Sequence, residues 1–175
     1  YDGQNNPGER GRLTYSSSPD GVAVAYEYDN LGRSSDTTWQ VGQDTYSLHR
    51  EYDPLGRLAE VRYPEVPGHD PFVAKYGYNL RGYASSVVDG TDPASPALLW
   101  QVDARNADGL VTEDQTGNLF TETRQYEAAT GQLTNVEAVK SGEALFAVHY
   151  ERDLTGNIVA RSDYAQVNPR MEQFQ

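Results

Sequence analysis

Tyr28-Asp29-Asn30-Leu31-Gly32-Arg33 and Tyr52-Asp53-Pro54-Leu55-Gly56-Arg57 are two copies of one motif, which start 24 residues apart and differ at one position. Degenerate copies extend the register: Tyr1-Asp2 with Gly11-Arg12-Leu13, Tyr78-Asn79-Leu80-Arg81-Gly82, Val102-Asp103 with Gly109-Leu110, Tyr126-Glu127 with Gly131-Gln132-Leu133, and Arg152-Asp153 with Gly156-Asn157-Ile158. A period in this range is typical of structures that grow by stacking one small unit on the next. The sequence therefore predicts a single array of about seven repeats over residues 1–175.

Alternating hydrophobicity predicts that the segments between the turns are β-strands. The larger apolar side chains recur with the period of two that half-buried strands show, in three sets: Val22, Val24, Tyr26 and Tyr28; Phe72, Ala74, Tyr76, Tyr78 and Leu80; and Phe146, Val148 and Tyr150. The best helix candidate, residues 135–147, is interrupted by Ser141-Gly142 and is interpreted as strand, turn, strand.

A second set of turns lies about half a period after the first: Asp20-Gly21, Gly42, Gly68, Asp89-Gly90, Gly117-Asn118 and Ser141-Gly142. Glycine beside aspartate or asparagine supplies the positive φ angles that tight hairpins need. Each unit is then strand, turn, strand, turn, which gives about fourteen strands in an antiparallel meander. Such a sheet must coil because adjacent strands twist. The predicted fold class is all-β, with repetitive antiparallel strand–turn–strand units in a coiled sheet.

The recurring residues have predicted structural roles. The glycines would adopt the turn conformation, and each aspartate would accept hydrogen bonds from backbone amides of its turn. The tyrosines of neighbouring units would stack in a ladder, while the arginines would either pair with the aspartates or project into solvent. These repeat-motif residues are Tyr28, Asp29, Gly32, Arg33, Tyr52, Asp53, Gly56, Arg57, Tyr78, Gly82, Tyr126, Gly131 and Gly156.

The motif resembles the YD repeat of the RHS family, which includes bacterial polymorphic toxins, C components of insecticidal toxin complexes, wall-associated proteins and the animal teneurins. The resemblance covers nearly the whole chain; Asn79 and Glu127 replace the aspartate, while Val102 and Arg152 replace the tyrosine. It implies a β-sheet that spirals into a hollow shell around a toxic polypeptide, so that the expected partners are flanking repeats and a toxin cargo. No segment matches the core-associated protease domain or a toxin domain of that family, and we expect the chain to be a fragment of a longer protein.

The composition favours a thin, half-solvated sheet over a compact globule. Hydrophobic residues make up 37% of the chain, and there are 13 tyrosines, whose rings cover apolar area while their hydroxyls reach polar partners. The net charge of −12 argues against nucleic acid as a partner; it favours solubility or, alternatively, an acidic wall around a basic cargo. The sequence has no cysteine, no Asn-X-Ser/Thr sequon and no apolar stretch long enough to span a membrane. We expect a secreted or cell-surface bacterial location.

Few residues suggest chemistry. His49 and His149 are interpreted as ordinary strand residues, and His69 lies in a Pro/Gly loop without a zinc-ligand partner. Asn106, Asp108 and Gly109 have a superficial likeness to a calcium loop, but the EF-hand template fails at the flanking ligand positions. The sequence therefore predicts no catalytic residue, no metal site and no cofactor.

Two functions compete at this stage. The first is a mechanical role, without enzymatic activity, as part of an encapsulating shell. The alternative is an extracellular adhesion module whose tyrosine-rich face binds carbohydrate or a receptor. The outer strands of the array should expose unpaired backbone groups, which predicts self-association at high concentration.

Overall fold

A computed structural model describes residues 7–117, 119–165 and 169–174. These residues form a short 3-10 helix, Pro7–Glu9, and fourteen strands. The strands are β1 (Tyr15–Ser17), β2 (Val22–Tyr28), β3 (Ser34–Val41), β4 (Asp44–Tyr52), β5 (Leu58–Arg62), β6 (Val73–Tyr78), β7 (Ala84–Asp89), β8 (Ala97–Arg105), β9 (Val111–Thr116), β10 (Phe120–Tyr126), β11 (Leu133–Lys140), β12 (Glu143–Arg152), β13 (Ile158–Asp163) and β14 (Arg170–Gln173). Among the described residues, no helix has the length and apolarity that crossing a membrane requires.

The chain divides into two compact units, Tyr1–Ala97 and Leu98–Gln175. In the first unit β1 to β7 pair antiparallel in chain order, and in the second unit β9 to β14 follow β8 in the same way. The all-β, antiparallel strand–turn–strand prediction is confirmed, as is the number of strands. The interpretation of residues 135–147 is also confirmed, since β11 and β12 meet at a two-residue turn. The single array over residues 1–175 stays a prediction.

The turns alternate between the two edges of each meander. One edge, here called the motif edge, carries the β2–β3, β4–β5 and β6–β7 turns in the first unit, and the β8–β9, β10–β11 and β12–β13 turns in the second. On the opposite edge Gly21, Gly42 and Gly68 have φ angles of 81°, 63° and 84°, and Ser141 and Gly142 have 52° and 87°. These are the positive φ angles predicted for tight hairpins.

The turn predicted at Asp89-Gly90 is wrong in its conformation. Among the described residues, Gly90 is not one of the glycines with a positive φ. Its amide donates to the Val73 carbonyl at 2.7 Å. A side chain at this buried position would meet Lys75, since an added Cβ would lie 2.7 Å from the Lys75 Cε. Glycine therefore leaves the room that the Lys75 side chain occupies here.

The predicted strand face from Phe72 to Leu80 is too long. β6 spans only Val73–Tyr78, Phe72 precedes it, and Leu80 lies fully exposed in the motif turn. A register shift between Gly77 and Tyr78 also interrupts the alternation. A bulge inserts one residue into a strand, so a pattern of strict period two cannot continue through it.

Each unit buries few side chains. The buried apolar residues are Val61, Val73 and Ala74 in the first unit, and Ala138, Val148 and Ala160 in the second. Most other strand residues are half-buried. The sheet therefore depends on backbone pairing and on contacts at its edges more than on a thick apolar core.

Candidate functional site

The motif turns at Asp29, Asp53, Asn79, Asn106 and Asp153 share one backbone geometry, whereas the Glu127 turn is one residue longer, because the Glu127 amide donates to the Gln132 carbonyl. In the first unit the Asp29 amide donates to the Arg33 carbonyl and the Gly32 amide donates to the Asp29 carbonyl, both at 2.9 Å. The same two bonds in the Asp53 turn are both 2.8 Å long. Gly32 has a φ of 76°, in the left-handed region where glycine carries no Cβ penalty. Each turn also follows a register shift one residue earlier, as between Glu27 and Tyr28.

The aspartate fixes this turn with both carboxylate oxygens. Asp29 Oδ1 accepts hydrogen bonds from the Leu31 and Arg33 amides, both at 2.9 Å, and Oδ2 accepts from Arg33 Nε at 2.6 Å. The predicted backbone bonds are therefore present, and of the two alternatives for the arginine, the pairing with aspartate is observed. Desolvation opposes ionisation, but the hydrogen bonds from Arg33 and Leu31 outweigh it and lower the pKa of Asp29.

Copies that depart from the aspartate or from the arginine keep part of this arrangement. Asn79 Oδ1 accepts from the Arg81 and Tyr83 amides, both at 3.0 Å. In the second unit, Asp153 instead accepts hydrogen bonds from the amides and side chains of Thr155 and Asn157. These bonds, led by the one from the Thr155 hydroxyl, lower the pKa of Asp153 to about 2.

Three arginines that follow a motif glycine of the first unit, Arg12, Arg33 and Arg57, also contact the tyrosine of the next copy. The guanidinium carbon lies 5.3 Å from the ring centre for Arg12 and Tyr28, 4.3 Å for Arg33 and Tyr52, and 4.2 Å for Arg57 and Tyr78. The predicted stacking of tyrosine on tyrosine is therefore wrong: the guanidinium covers the ring. A cation over an aromatic face is attracted by the ring quadrupole.

The tyrosine hydroxyls bind the preceding copy. Tyr28 donates to the Leu13 carbonyl at 2.8 Å, Tyr52 to Ser34 at 2.9 Å, and Tyr78 to Leu58 at 2.7 Å. In the second unit Tyr126 donates to the Val111 carbonyl at 2.8 Å. We call the combination of arginine, covered ring and hydroxyl bond the arginine–tyrosine seam; it joins consecutive copies along the motif edge.

The motif glycines have a second role in this seam. A Cβ at Gly32 would lie 2.7 Å from Arg12 Nη2, and one at Gly56 would lie 3.4 Å from Arg33 Nη1. The side chain that follows one motif glycine therefore reaches the glycine of the next copy. At Gly32 the missing side chain makes room for this contact.

The second unit corrects the predicted register of one copy. Val102-Asp103 does not occupy the Tyr-Asp position, because the register shift lies at Ala104/Arg105 and the turn begins at Asn106, whose amide donates to the Leu110 carbonyl. The equivalent pair is thus Arg105-Asn106. Asn106 Oδ1 accepts from the Asp108 and Leu110 amides, so the residues with a superficial likeness to a calcium loop form a motif turn. The Tyr1-Asp2 pair and Asn118 lie outside the described residues.

The histidines lie in separate places. His49 Nδ1 lies 2.7 Å from Asp36 Oδ1 on the neighbouring strand, and His49 Nε2 lies 3.6 Å from Glu51. His149 Nδ1 lies 3.3 Å from Asn135 Oδ1, and His69 is in the loop before β6. The described part of the chain has no cluster of three or more His, Cys, Asp or Glu side chains suited to a metal.

One buried polar cluster was not predicted from the sequence. Asp114 is 3% exposed; its Oδ2 accepts from Trp100 Nε1 at 2.6 Å, and its Oδ1 pairs with Arg124, which also pairs with Glu122. Burial, together with the Asp114 charge, raises the pKa of Glu122 despite the opposing effect of Arg124. The two carboxylates come together because Glu122 on β10 pairs directly with Asp114 on β9. A single sequence does not reveal this pairing, since it depends on the strand register.

Comparison with solved structures identifies the fold. The chain matches the structure of TcdB2-TccC3-Cdc42 with a TM-score of 0.73 and 15% identity, over 91% of this chain and 9% of that chain. It matches a Photorhabdus luminescens Tc holotoxin pore with a mutated TccC3 at a TM-score of 0.71 and 14% identity, over 85% of this chain and 8% of the other. The structure of TcdB2-TccC3 without its hypervariable C-terminal region matches with a TM-score of 0.72 and 15% identity, over 87% of this chain and 8% of that chain.

These likenesses, together with the repeat, show that the chain has the RHS/YD-repeat fold. The particular chains that share it are toxin-complex chains, and this chain spans less than a tenth of their length. No family model matches the sequence, and no curated protein matches it.

Proposed function

We propose that this chain is a structural segment of an RHS/YD-repeat protein and forms part of the wall of a hollow β-shell around a toxin cargo. The observation that carries the proposal is the likeness of fold to TccC3-containing toxin chains over most of this chain. The partners would be flanking repeats and the cargo, and the parent would be a secreted or cell-surface bacterial protein.

The seams supply a physical basis for a wall. Arg33 joins Asp29 in its own turn to Tyr52 in the next, and Arg57 and Tyr78 repeat the contact. Because each copy attaches to its neighbour by local contacts, stability accumulates along the array without a thick core. Such a wall would exclude proteases from a cargo inside it.

The role would be mechanical rather than catalytic. Support comes from His49, because both of its ring nitrogens lie near carboxylates, those of Asp36 and Glu51. A hydrolytic site of the serine type needs a nucleophile within hydrogen-bond reach of one of those nitrogens.

The alternative, carbohydrate or receptor binding by a tyrosine-rich face, is less well supported. Tyr28, Tyr52 and Tyr78 each have an arginine over the ring and a hydroxyl bonded to a carbonyl. A ligand that used these rings would have to displace the arginines.

Protease protection tests the proposed shell. In the polypeptide that carries this segment with its flanking repeats and cargo, we expect the cargo to resist limited proteolysis. Replacing Asp29 and Asp53 by alanine removes the acceptors of two turns and should make the cargo digestible. Asp20→Ala, at an exposed position on the opposite edge, is the control and should leave protection intact. A cargo digested as fast in the intact protein as in isolation would contradict the proposal.

Self-association stays a prediction. β1 is an outer strand of the first unit and β14 is an outer strand of the second, and outer strands present backbone groups to a second chain. Sedimentation velocity over a range of protein concentrations tests it, and a strict monomer at millimolar concentration would count against it.

A further inference from the structure

Each motif turn of the first unit carries an exposed leucine. Leu31, Leu55 and Leu80 lie in the β2–β3, β4–β5 and β6–β7 turns, between the aspartate or asparagine that begins the turn and the turn glycine. Leu31 and Leu55 are 75% and 77% exposed, and Leu80 is fully exposed. A single exposed leucine is ordinary on a protein surface, but one in every turn along an edge is typical of an interaction surface. We call these three residues the leucine row.

The turn backbone holds the leucine row in place. The Leu31 amide donates to Asp29 Oδ1 and the Leu55 amide donates to Asp53 Oδ1, both at 2.9 Å. In the third turn, Asn79 Oδ1 accepts from the two backbone amides that flank the turn glycine. Because these bonds fix the turns, the row is already ordered before it meets a partner, and docking on it loses little backbone entropy.

The spacing of the leucine row allows it to match a reversed copy of itself. Consecutive motif turns are two strands apart, which is about 9.6 Å along the edge at ~4.8 Å per strand. If a second row is turned round by a two-fold axis, its middle turn meets the middle turn and each outer turn meets the other outer turn. A two-fold interface of this kind uses one surface patch on both copies.

The charges favour contact between two motif edges over the other arrangements. On the motif edge, Asp29 pairs with Arg33 and Asp53 pairs with Arg57, so these turns are close to neutral. The opposite edge of the first unit carries four exposed carboxylates: Asp20, Asp44, Glu65 and Asp70. Two such edges would repel each other, and packing the leucines against one of them would take carboxylates out of water. A second motif edge has neither disadvantage.

We propose that the leucine row is a dimer interface, which packs against the leucine row of a second copy of this chain about a two-fold axis through the β4–β5 turn. Leu55 then contacts Leu55 of the second copy, and Leu31 contacts Leu80 of the second copy. Three turns from each copy bury less than the ~1,600 Å² of a standard interface, so the dimer is weak, with a dissociation constant on the order of 100 µM. The contact is made by turns and does not use the outer strands β1 and β14.

Sedimentation velocity from about 10 µM to about 1 mM chain tests the interface. We expect a monomer–dimer equilibrium, and the triple variant Leu31→Asn, Leu55→Asn and Leu80→Asn should raise the dissociation constant roughly tenfold or more. Val66→Asn, which changes an exposed residue of the opposite edge, is the control and should leave the constant unchanged. Circular dichroism checks that each variant is folded. A strict monomer at about 1 mM, or a folded triple variant that associates as strongly as the unchanged chain, would overturn the proposal.

Cysteine cross-linking tests the two-fold arrangement independently of the triple variant. The sequence has no cysteine, so one introduced thiol reports one contact. With a mild oxidant, Leu55→Cys should form a disulfide with itself, and a mixture of Leu31→Cys with Leu80→Cys should form the mixed disulfide. Leu31→Cys alone should not, because the two thiols would be about 19 Å apart and a disulfide needs Cα atoms within about 7 Å.

Two results of the cross-linking would overturn the arrangement. One is that Leu31→Cys cross-links to itself as fast as to Leu80→Cys. The other is that a mixture of Leu55→Cys with Val66→Cys gives mainly the mixed disulfide, which would place the motif edge against the opposite edge of the second copy.

Discussion

Arg33 donates to Asp29 within its own turn while its guanidinium carbon lies 4.3 Å from the centre of the Tyr52 ring in the next copy. One side chain therefore belongs to two copies at once. The carboxylate orients the guanidinium, and the oriented guanidinium covers the ring. Because Arg12, Arg33 and Arg57 each reach toward the following copy, the contact has a direction along the chain.

A double-mutant cycle should detect this contact as a coupling energy. We expect Arg33→Gln and Tyr52→Leu to interact by about 0.5–1 kcal/mol, the range for a cation over an aromatic ring near the surface. Urea unfolding of the single and double variants measures the coupling. Arg33→Gln combined with Tyr78→Leu is the control, because the partner of Tyr78 is Arg57, and these changes should add within about 0.5 kcal/mol. Equal coupling in both cycles would contradict the pairing.

The Gly56 position should reject a side chain for a conformational reason. Its φ of 82° lies in the left-handed region, so Gly56→Ala should lower the free energy of unfolding by about 1–2 kcal/mol. Gly56→Asn should cost less, since asparagine adopts this conformation more readily. Chemical denaturation of the two variants compares the costs. An alanine variant as stable as the asparagine variant would exclude this conformational explanation.

Acid should weaken the fold through Asp153. Its pKa is lowered from 3.8 to about 2 by hydrogen bonds that begin with the Thr155 hydroxyl, so the folded state binds its proton less tightly than the unfolded state. The stabilisation is complete above the pKa that Asp153 has in the unfolded chain, and it is lost as the pH falls through the pKa that Asp153 has in the folded chain. We expect the urea midpoint to fall between about pH 4 and pH 2.

Asp153→Asn is the matched variant for this prediction. Asparagine cannot titrate, so the loss of stability in acid that is due to Asp153 should disappear in this variant. Asp29 and Asp53, whose pKa values are also lowered, should still contribute to that loss. If the variant loses as much stability in acid as the unchanged chain, Asp153 does not contribute to that loss.

Glu122 should act in the opposite direction. Burial is the main reason that its pKa is raised above 4.5, so the folded state binds its proton more tightly than the unfolded state. Ionised Glu122 therefore destabilises the fold above its raised pKa, and this penalty is relieved as the pH falls toward the unfolded value. Glu122→Gln should gain stability relative to the unchanged chain as the pH rises from about 4.5 toward neutrality. Parallel urea midpoints across this window would contradict the prediction.

The local parts of the motif could be predicted from the sequence because their physics is local. An aspartate that accepts from amides two and four residues later, and a glycine at positive φ, need only the six residues of one copy. The alternating strands and the two-residue Ser141-Gly142 turn have equally short range.

The contacts between copies could not be predicted because they depend on register. Arg33 and Tyr52 meet only through the pairing of β3 with β4 and β4 with β5. The same dependence hid the cluster around Asp114 and led to the wrong alignment of Val102, which lies three residues before the true tyrosine-equivalent position.

The forward reach of Arg12 and Arg57 should make the first unit tolerant of the in-frame loss of one copy. Excision of residues 29–52 would join Tyr28 to Asp53 and regenerate an uninterrupted motif, with Arg12 still before Tyr28 and Arg57 still before Tyr78. We therefore expect a chain shortened by residues 29–52 to keep its fold without a compensating substitution at the new joint.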